Sequence, residues 1–195
     1  MAWTPLPLRP LVFLDTETTG LEPANHEVIE FAAVKMDPQT FSVIDKIEFK
    51  IKPLHIETAQ PKALEVNGYT PEKWTDAIDP ETAAKRISEF CSESVIVGHN
   101  VSFDTGFLEV LLKQYKIEKR IDYHKVDTCA LAYTQLVHLG LESVSLVNVC
   151  KFLGISNEGA HGAAKDVERT IAVYRKLVRA TWWNRWCWKR KNRKS

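Results

Sequence analysis

Residues 11–17, LVFLDTE, decide how this chain is read: four apolar residues run without a break into three polar ones, two of them acidic. A continuous apolar run suits a strand buried on both faces, in the middle of a sheet with helices on either side. Successive side chains of a strand face opposite ways, so Asp15 and Glu17 project from the same face at its end. Two carboxylates side by side repel. Buried together they need a compensating cation, and oxygen-only ligands favour a hard ion such as Mg²⁺ or Mn²⁺. The plain alternative is that both acids reach solvent where the strand ends.

Working outward, VIEFAAVKM (28–36) and FSVIDKIEFKI (41–51) are strand candidates, and their short connections make an antiparallel meander with the first. Residues 53–80 are rich in Pro, Asn, Gly and Thr and suit a loop with short helical turns, after which Pro80 opens a helix through Phe90. Ser94–Val97 is a short strand. Ser102 is a candidate N-cap for a helix whose stripe is Phe103, Phe107, Leu108, Leu111, Leu112 and Tyr115. A strand over Tyr123–Asp127 follows, then a helix from Thr128 to Leu139 closed by Gly140. Leu146, Val149, Cys150 and Leu153 form another stripe, closed by Gly154, and a last helix runs from Gly162 to about Ala180. Strands in a meander, then strands alternating with helices, imply an α/β layer fold with a mixed sheet.

The 195 residues, 45% hydrophobic and 26% charged, suffice for one globular domain with an ample core. No apolar run reaches eighteen residues and no small-residue cleavage site follows the N-terminus, which points to a cytoplasmic protein without membrane insertion. Cys91, Cys129, Cys150 and Cys187 lie far apart, giving neither a zinc spacing nor a dense disulfide framework. The net charge of +1 hides an asymmetry, because residues 181–195, TWWNRWCWKRKNRKS, hold six of the 26 basic residues and no acid. Residues 1–180 carry 20 basic against 25 acidic side chains, a net of −5. Any polyanion held by this body must be held locally and with cations. The division expected is therefore a domain over 1–180 and a Trp-rich basic tail over 181–195.

Two further acids extend the pair. Asp104 falls on the apolar stripe of its helix, although an aspartate in a first helical turn also suits the helix dipole. Asp166 lies at the margin of the last helix's apolar face. His161 stands five residues earlier, which on a continuous helix would separate the two side chains by about 140°. The histidine must belong to the preceding loop if both reach one centre. The other histidines suit structural or surface roles, with His99 expected to hydrogen-bond within its own turn.

Taken as a set, FLDTETTGL (13–21), VGHNVSFDTGFL (97–108) and HGAAKD (161–166) resemble, in order and spacing, the three motifs of the DnaQ-like, or DEDDh, 3′→5′ exonuclease family. The resemblance spans residues 10 to 178. It implies a ribonuclease H-like fold, Asp15, Glu17, Asp104 and Asp166 as ligands of two Mg²⁺ or Mn²⁺ ions, and His161 as general base. It further implies that Thr18 and Phe103 contact the terminal nucleotide, and that PKALEVNGYTPE (61–72) closes over it through Ala63, Val66 and Asn67. Many members have histidine where this chain has Asn67.

The expected activity is removal of nucleotides from a 3′ end, with single-stranded DNA the preferred substrate and RNA 3′-end trimming the alternative. A non-catalytic nucleic-acid-binding subunit is the reading from another class, and the intact acid and histidine set argues against it. Four tryptophans within seven residues of a basic tail suit capture of nucleic acid, or of a polymerase or other protein partner.

Overall fold

The computed structural model describes residues 4–158 and 162–179. Five strands form one sheet: β1 (Leu11–Thr18), β2 (Val28–Met36), β3 (Val43–Lys50), β4 (Val95–Gly98) and β5 (Lys125–Asp127), in the spatial order β3-β2-β1-β4-β5. β1, β2 and β3 make the expected antiparallel meander, whereas β4 pairs parallel with β1 and β5 parallel with β4. The helices are α1 (Pro61–Asn67), α2 (Pro80–Phe90), α3 (Val101–Gln114), α4 (Thr128–Leu136), α5 (Leu146–Leu153) and α6 (Ala163–Val178). This mixed sheet flanked by helices is the ribonuclease H-like arrangement that the resemblance implies.

The unbroken apolar run of β1 has the physical reason given for it. Val12 and Leu14 pack into a core with Ile87 of α2 and Phe107, Leu108 and Leu112 of α3. Leu11 and Phe13 face the other way, into a core completed by Ala163 and Val167 of α6. A third cluster joins Ala132 and Leu136 of α4, Val149 and Leu153 of α5, and Val173 and Leu177 of α6.

Several expected boundaries shift for identifiable reasons. β3 starts at Val43 rather than Phe41, because Asp37 Oδ1 accepts the backbone N–H of Gln39 and of Thr40 and leaves Phe41 at φ 58°. The cap of α3 is Asn100, not Ser102. Asn100 takes a left-handed φ of 65°, and its amide donates to Asp127 Oδ1 at 3.0 Å, a partner 27 residues away. The helix expected over Thr128–Leu139 ends its α-helical part at Leu136 and tightens into a 3₁₀ turn over Val137–Leu139 before Gly140 at φ 108°. Residues 61–67 form a full short helix within the expected loop.

His99 does not bond within its turn. Its ring bridges Thr128 Oγ1 at 2.9 Å and the Val144 carbonyl at 2.7 Å. Cys91, Cys129 and Cys150 are free thiols; Cys187, the end of the last helix at Ala180 and the tail at 181–195 lie outside the described residues. Among the described residues no helix is long and apolar enough to cross a membrane.

Candidate active site

Since Leu11 and Phe13 face α6, strand alternation carries Asp15 and Glu17 to that same side. The first turn of α6 brings Asp166 to meet them. One carboxylate oxygen from each of Asp15, Glu17 and Asp166 lies within 4.8 Å of the others.

Asp104 arrives from the opposite layer, in the first turn of α3, and is 3% exposed. Its Oδ1 accepts both the backbone N–H of Thr16 at 3.0 Å and the Thr16 hydroxyl at 2.8 Å. The structure therefore gathers three of the four expected acids around one point, with Asp104 beside them and pinned to β1. His161 lies outside the described residues. Gly162 and Ala163, which follow it, are described, and the Ala163 amide donates to Glu30 Oε1 at 3.2 Å.

The electrostatics are those of crowded anions. Burial, and then the charges of Asp104 and Asp166, hold the Asp15 carboxyl well above the usual carboxylate range. Burial, then Glu30, then Asp166 push Glu17 up to about 7. Burial pushes Asp104 up to about 7 although the Thr16 bonds pull it down. Such groups hold protons when alone, and a cation among them would replace those protons. A donor set made only of carboxylate oxygens at this spacing fits a hard divalent ion, and offers no nitrogen or sulfur to a softer one.

Glu17 also forms part of the wall of an adjoining cleft. That cleft is lined by Thr18, Ala63, Val66, Asn67 and Phe103, together with Leu21 and Lys62. All five residues expected to contact substrate thus share one concavity, although they come from β1, α1 and α3. Asn67 ties two of these elements together, donating from Nδ2 to the Thr18 carbonyl at 3.1 Å while its Oδ1 accepts the Tyr69 amide at 3.1 Å. Val66 is 41% exposed and so is not a core residue, the plain alternative for an apolar side chain there. Phe103 is partly buried, its ring centroid 5.0 Å from that of Phe107.

Two polar residues at the site escape the sequence reading. Glu30 lies directly opposite Glu17 in the β1–β2 ladder, and burial raises its pKa. As the one acid inside the apolar run VIEFAAV it carried a usable signal. Arg169 is 5% exposed and ion-paired to Asp166. In the sequence it looks like any arginine on the wet side of a helix.

Comparison with known proteins places this chain in a family. The exonuclease family matches residues 12–174. Ribonuclease T of Shewanella sp. (strain ANA-3) is 30% identical over 191 residues, covering 90% of this chain and 82% of that protein. PolC-type DNA polymerase III of Thermotoga maritima is 34% identical over 169 residues, covering 86% of this chain and 12% of the polymerase. Among solved structures, E. coli exonuclease I in complex with a dT13 oligonucleotide aligns with a TM-score of 0.76 and 27% identity, covering 88% of this chain and 41% of that one. The chain thus spans most of ribonuclease T but only a part of the other two.

Proposed function

This chain belongs to the exonuclease family, and on that premise we propose that it is a metal-dependent 3′→5′ exonuclease that hydrolyses phosphodiester bonds at the 3′ end of DNA and releases nucleoside 5′-monophosphates. The observation that carries the reading is the adjacency of two features sharing Glu17: three convergent carboxylates, and a cleft lined by Thr18, Ala63, Val66, Asn67 and Phe103.

In this reading Asp15, Glu17, Asp104 and Asp166 hold two Mg²⁺ or Mn²⁺ ions, which when bound stabilise negative charge on the attacking and leaving oxygens. His161 takes the proton of the attacking water on an imidazole nitrogen, which accepts it readily near neutral pH. Phe103 offers an aromatic face to the terminal base, a contact worth roughly 1–3 kcal/mol. Asn67, bonded to the Thr18 carbonyl, keeps α1 against the end of β1, so the cleft is formed before substrate arrives.

The oligonucleotide in the exonuclease I structure supports single-stranded DNA as the substrate. RNA 3′-end trimming is the second reading, supported by the match across 82% of ribonuclease T. The tail at 181–195, with four tryptophans among six basic residues, would hold the strand beyond the cleft or dock a polymerase or other protein. Digestion of matched 3′-labelled DNA and RNA, single- and double-stranded, with and without Mg²⁺, tests the proposal. Mononucleotides should appear only with the ion, and first from single-stranded DNA. Full activity in excess chelator, or internal cuts in a closed circle, would refute it.

A further inference from the structure

A buried guanidinium is costly unless its donors are matched. Arg169, one turn after Asp166 on α6, is matched on two sides. Its Nη1 pairs with Asp166 Oδ1, and its Nη2 donates to the Asn157 carbonyl at 2.9 Å and the Glu158 carbonyl at 3.1 Å. Those two carbonyls stand three and four residues before His161 in the chain. Two residues after His161, the Ala163 amide is held by Glu30, itself opposite Glu17 in the sheet. The described backbone on the two sides of the histidine is therefore held by two different ionic side chains, Arg169 at 157–158 and Glu30 at Ala163.

We infer that Arg169 is a positioning residue: its single planar group holds the Asp166 carboxylate and the backbone at 157–158 in one register, so that the cation-binding oxygens of α6 are set against the end of the segment that leads into it before substrate binds. This rests on the role proposed above for Asp166. The geometry needs arginine in particular. A lysine keeps the charge but is a point donor on a flexible stem, and cannot span a carboxylate and two carbonyls as a rigid fork. An ordinary helix ion pair between residues three apart would need only the charge and would be worth little.

The test compares R169K and R169Q with the parent in three measurements. Hydrogen exchange on the metal-free proteins reads the 155–166 backbone, calorimetry reads Mn²⁺ binding, and steady-state kinetics on a 3′-labelled oligonucleotide separates kcat from KM. Outer-sphere partners of metal ligands typically change affinity or activity by about 10–100-fold. R169Q should lose kcat by about that factor with KM within about threefold, bind Mn²⁺ more weakly, and exchange faster at 155–166 while the sheet stays protected. R169K should recover part of the Mn²⁺ affinity but little of the backbone protection at 155–158. R169K equal to the parent in kcat and exchange would overturn the inference. So would a kcat loss in both variants with unchanged exchange at 155–158, or loss of protection throughout the sheet in both. Should the parent itself release no nucleotide with Mg²⁺, the exonuclease reading fails instead, and exchange and Mn²⁺ calorimetry still decide the Arg169 tie.

Discussion

Replacing Glu17 with Gln should stabilise the cation-free protein, and do so chiefly at alkaline pH. Burial, followed by the charges of Glu30, Asp166 and Asp104, pushes Glu17 from 4.5 to about 7. The folded chain therefore binds this proton more tightly than the unfolded one. The protonated carboxyl supports the fold fully below about pH 4.5, and that support is lost as pH rises through about 7. At roughly 1.4 kcal/mol per pH unit between those limits, ionised Glu17 costs on the order of 3 kcal/mol at pH 8. Water on its open side screens part of this, leaving about 2 kcal/mol. For a chain of this size Glu17→Gln should then raise Tm by about 4–8 °C at pH 8. At pH 5 the gain falls below about 1 kcal/mol. His99 works the other way, because burial first of all lowers its pKa from 6.5, so its folded state favours the neutral ring and gains as pH rises through that value. Taking variant minus parent at each pH cancels that contribution. Melts of both proteins in excess chelator at pH 5 and pH 8 provide the measurement. A variant that melts no higher than the parent at pH 8, or that gains equally at both pH values, would refute the picture of a carboxylate cluster held under repulsion.

The remaining expectations concern activity. Asp15→Ala and Asp104→Ala should each abolish Mg²⁺-dependent turnover while circular dichroism stays that of the parent; turnover surviving in either would remove that acid from the ligand set. His161→Ala should lower kcat by about 10²–10⁴ with oligonucleotide affinity nearly unchanged, and its pH–rate profile should lose the limb reporting histidine deprotonation. Phe103→Ala should weaken binding of a free 3′ end about tenfold or more and leave the affinity for a 3′-blocked strand unaltered, as equilibrium titration of the two ligands would reveal. Deleting residues 181–195 should spare turnover on short oligonucleotides and make the salt dependence of binding to long strands shallower, which parallel titrations across a salt series can read.

Much of this molecule is written locally in its sequence, and the exceptions share a cause. β1 and β2 were legible because apolar runs of that length have few other homes, and strand alternation alone put Asp15 and Glu17 on one face. Helical periodicity put Asp166 at the margin of the apolar face of α6, and only the resemblance joined it to the other acids. The start of α3 is not legible locally, because the amide of Asn100 is satisfied by Asp127, a partner no local pattern announces. The place of Glu30 depends on the cross-strand register that sets it against Glu17, and that of Arg169 on carbonyls eleven and twelve residues earlier in the chain. The cleft was legible only through resemblance, since nothing in the local pattern of residues 61–67 says that α1 docks on the end of β1.

The central strand of this sheet is the first to be synthesised, and that order shapes the nascent chain. β1 pairs with β2 through a short connection, but its other edge stays open until β4 is made, more than seventy residues later. An open edge on a hydrophobic strand is a template for pairing with other chains, so a polypeptide interrupted between β3 and β4 is an aggregation hazard. Such a product also lacks the assembled carboxylate cluster. Asp15 and Glu17 are present from the start, but Asp166 arrives only with the last described helix, so no partial product carries the complete carboxylate cluster. The three convergent carboxylates, separated by about 150 residues of sequence, meet only once the sheet and α6 have both formed.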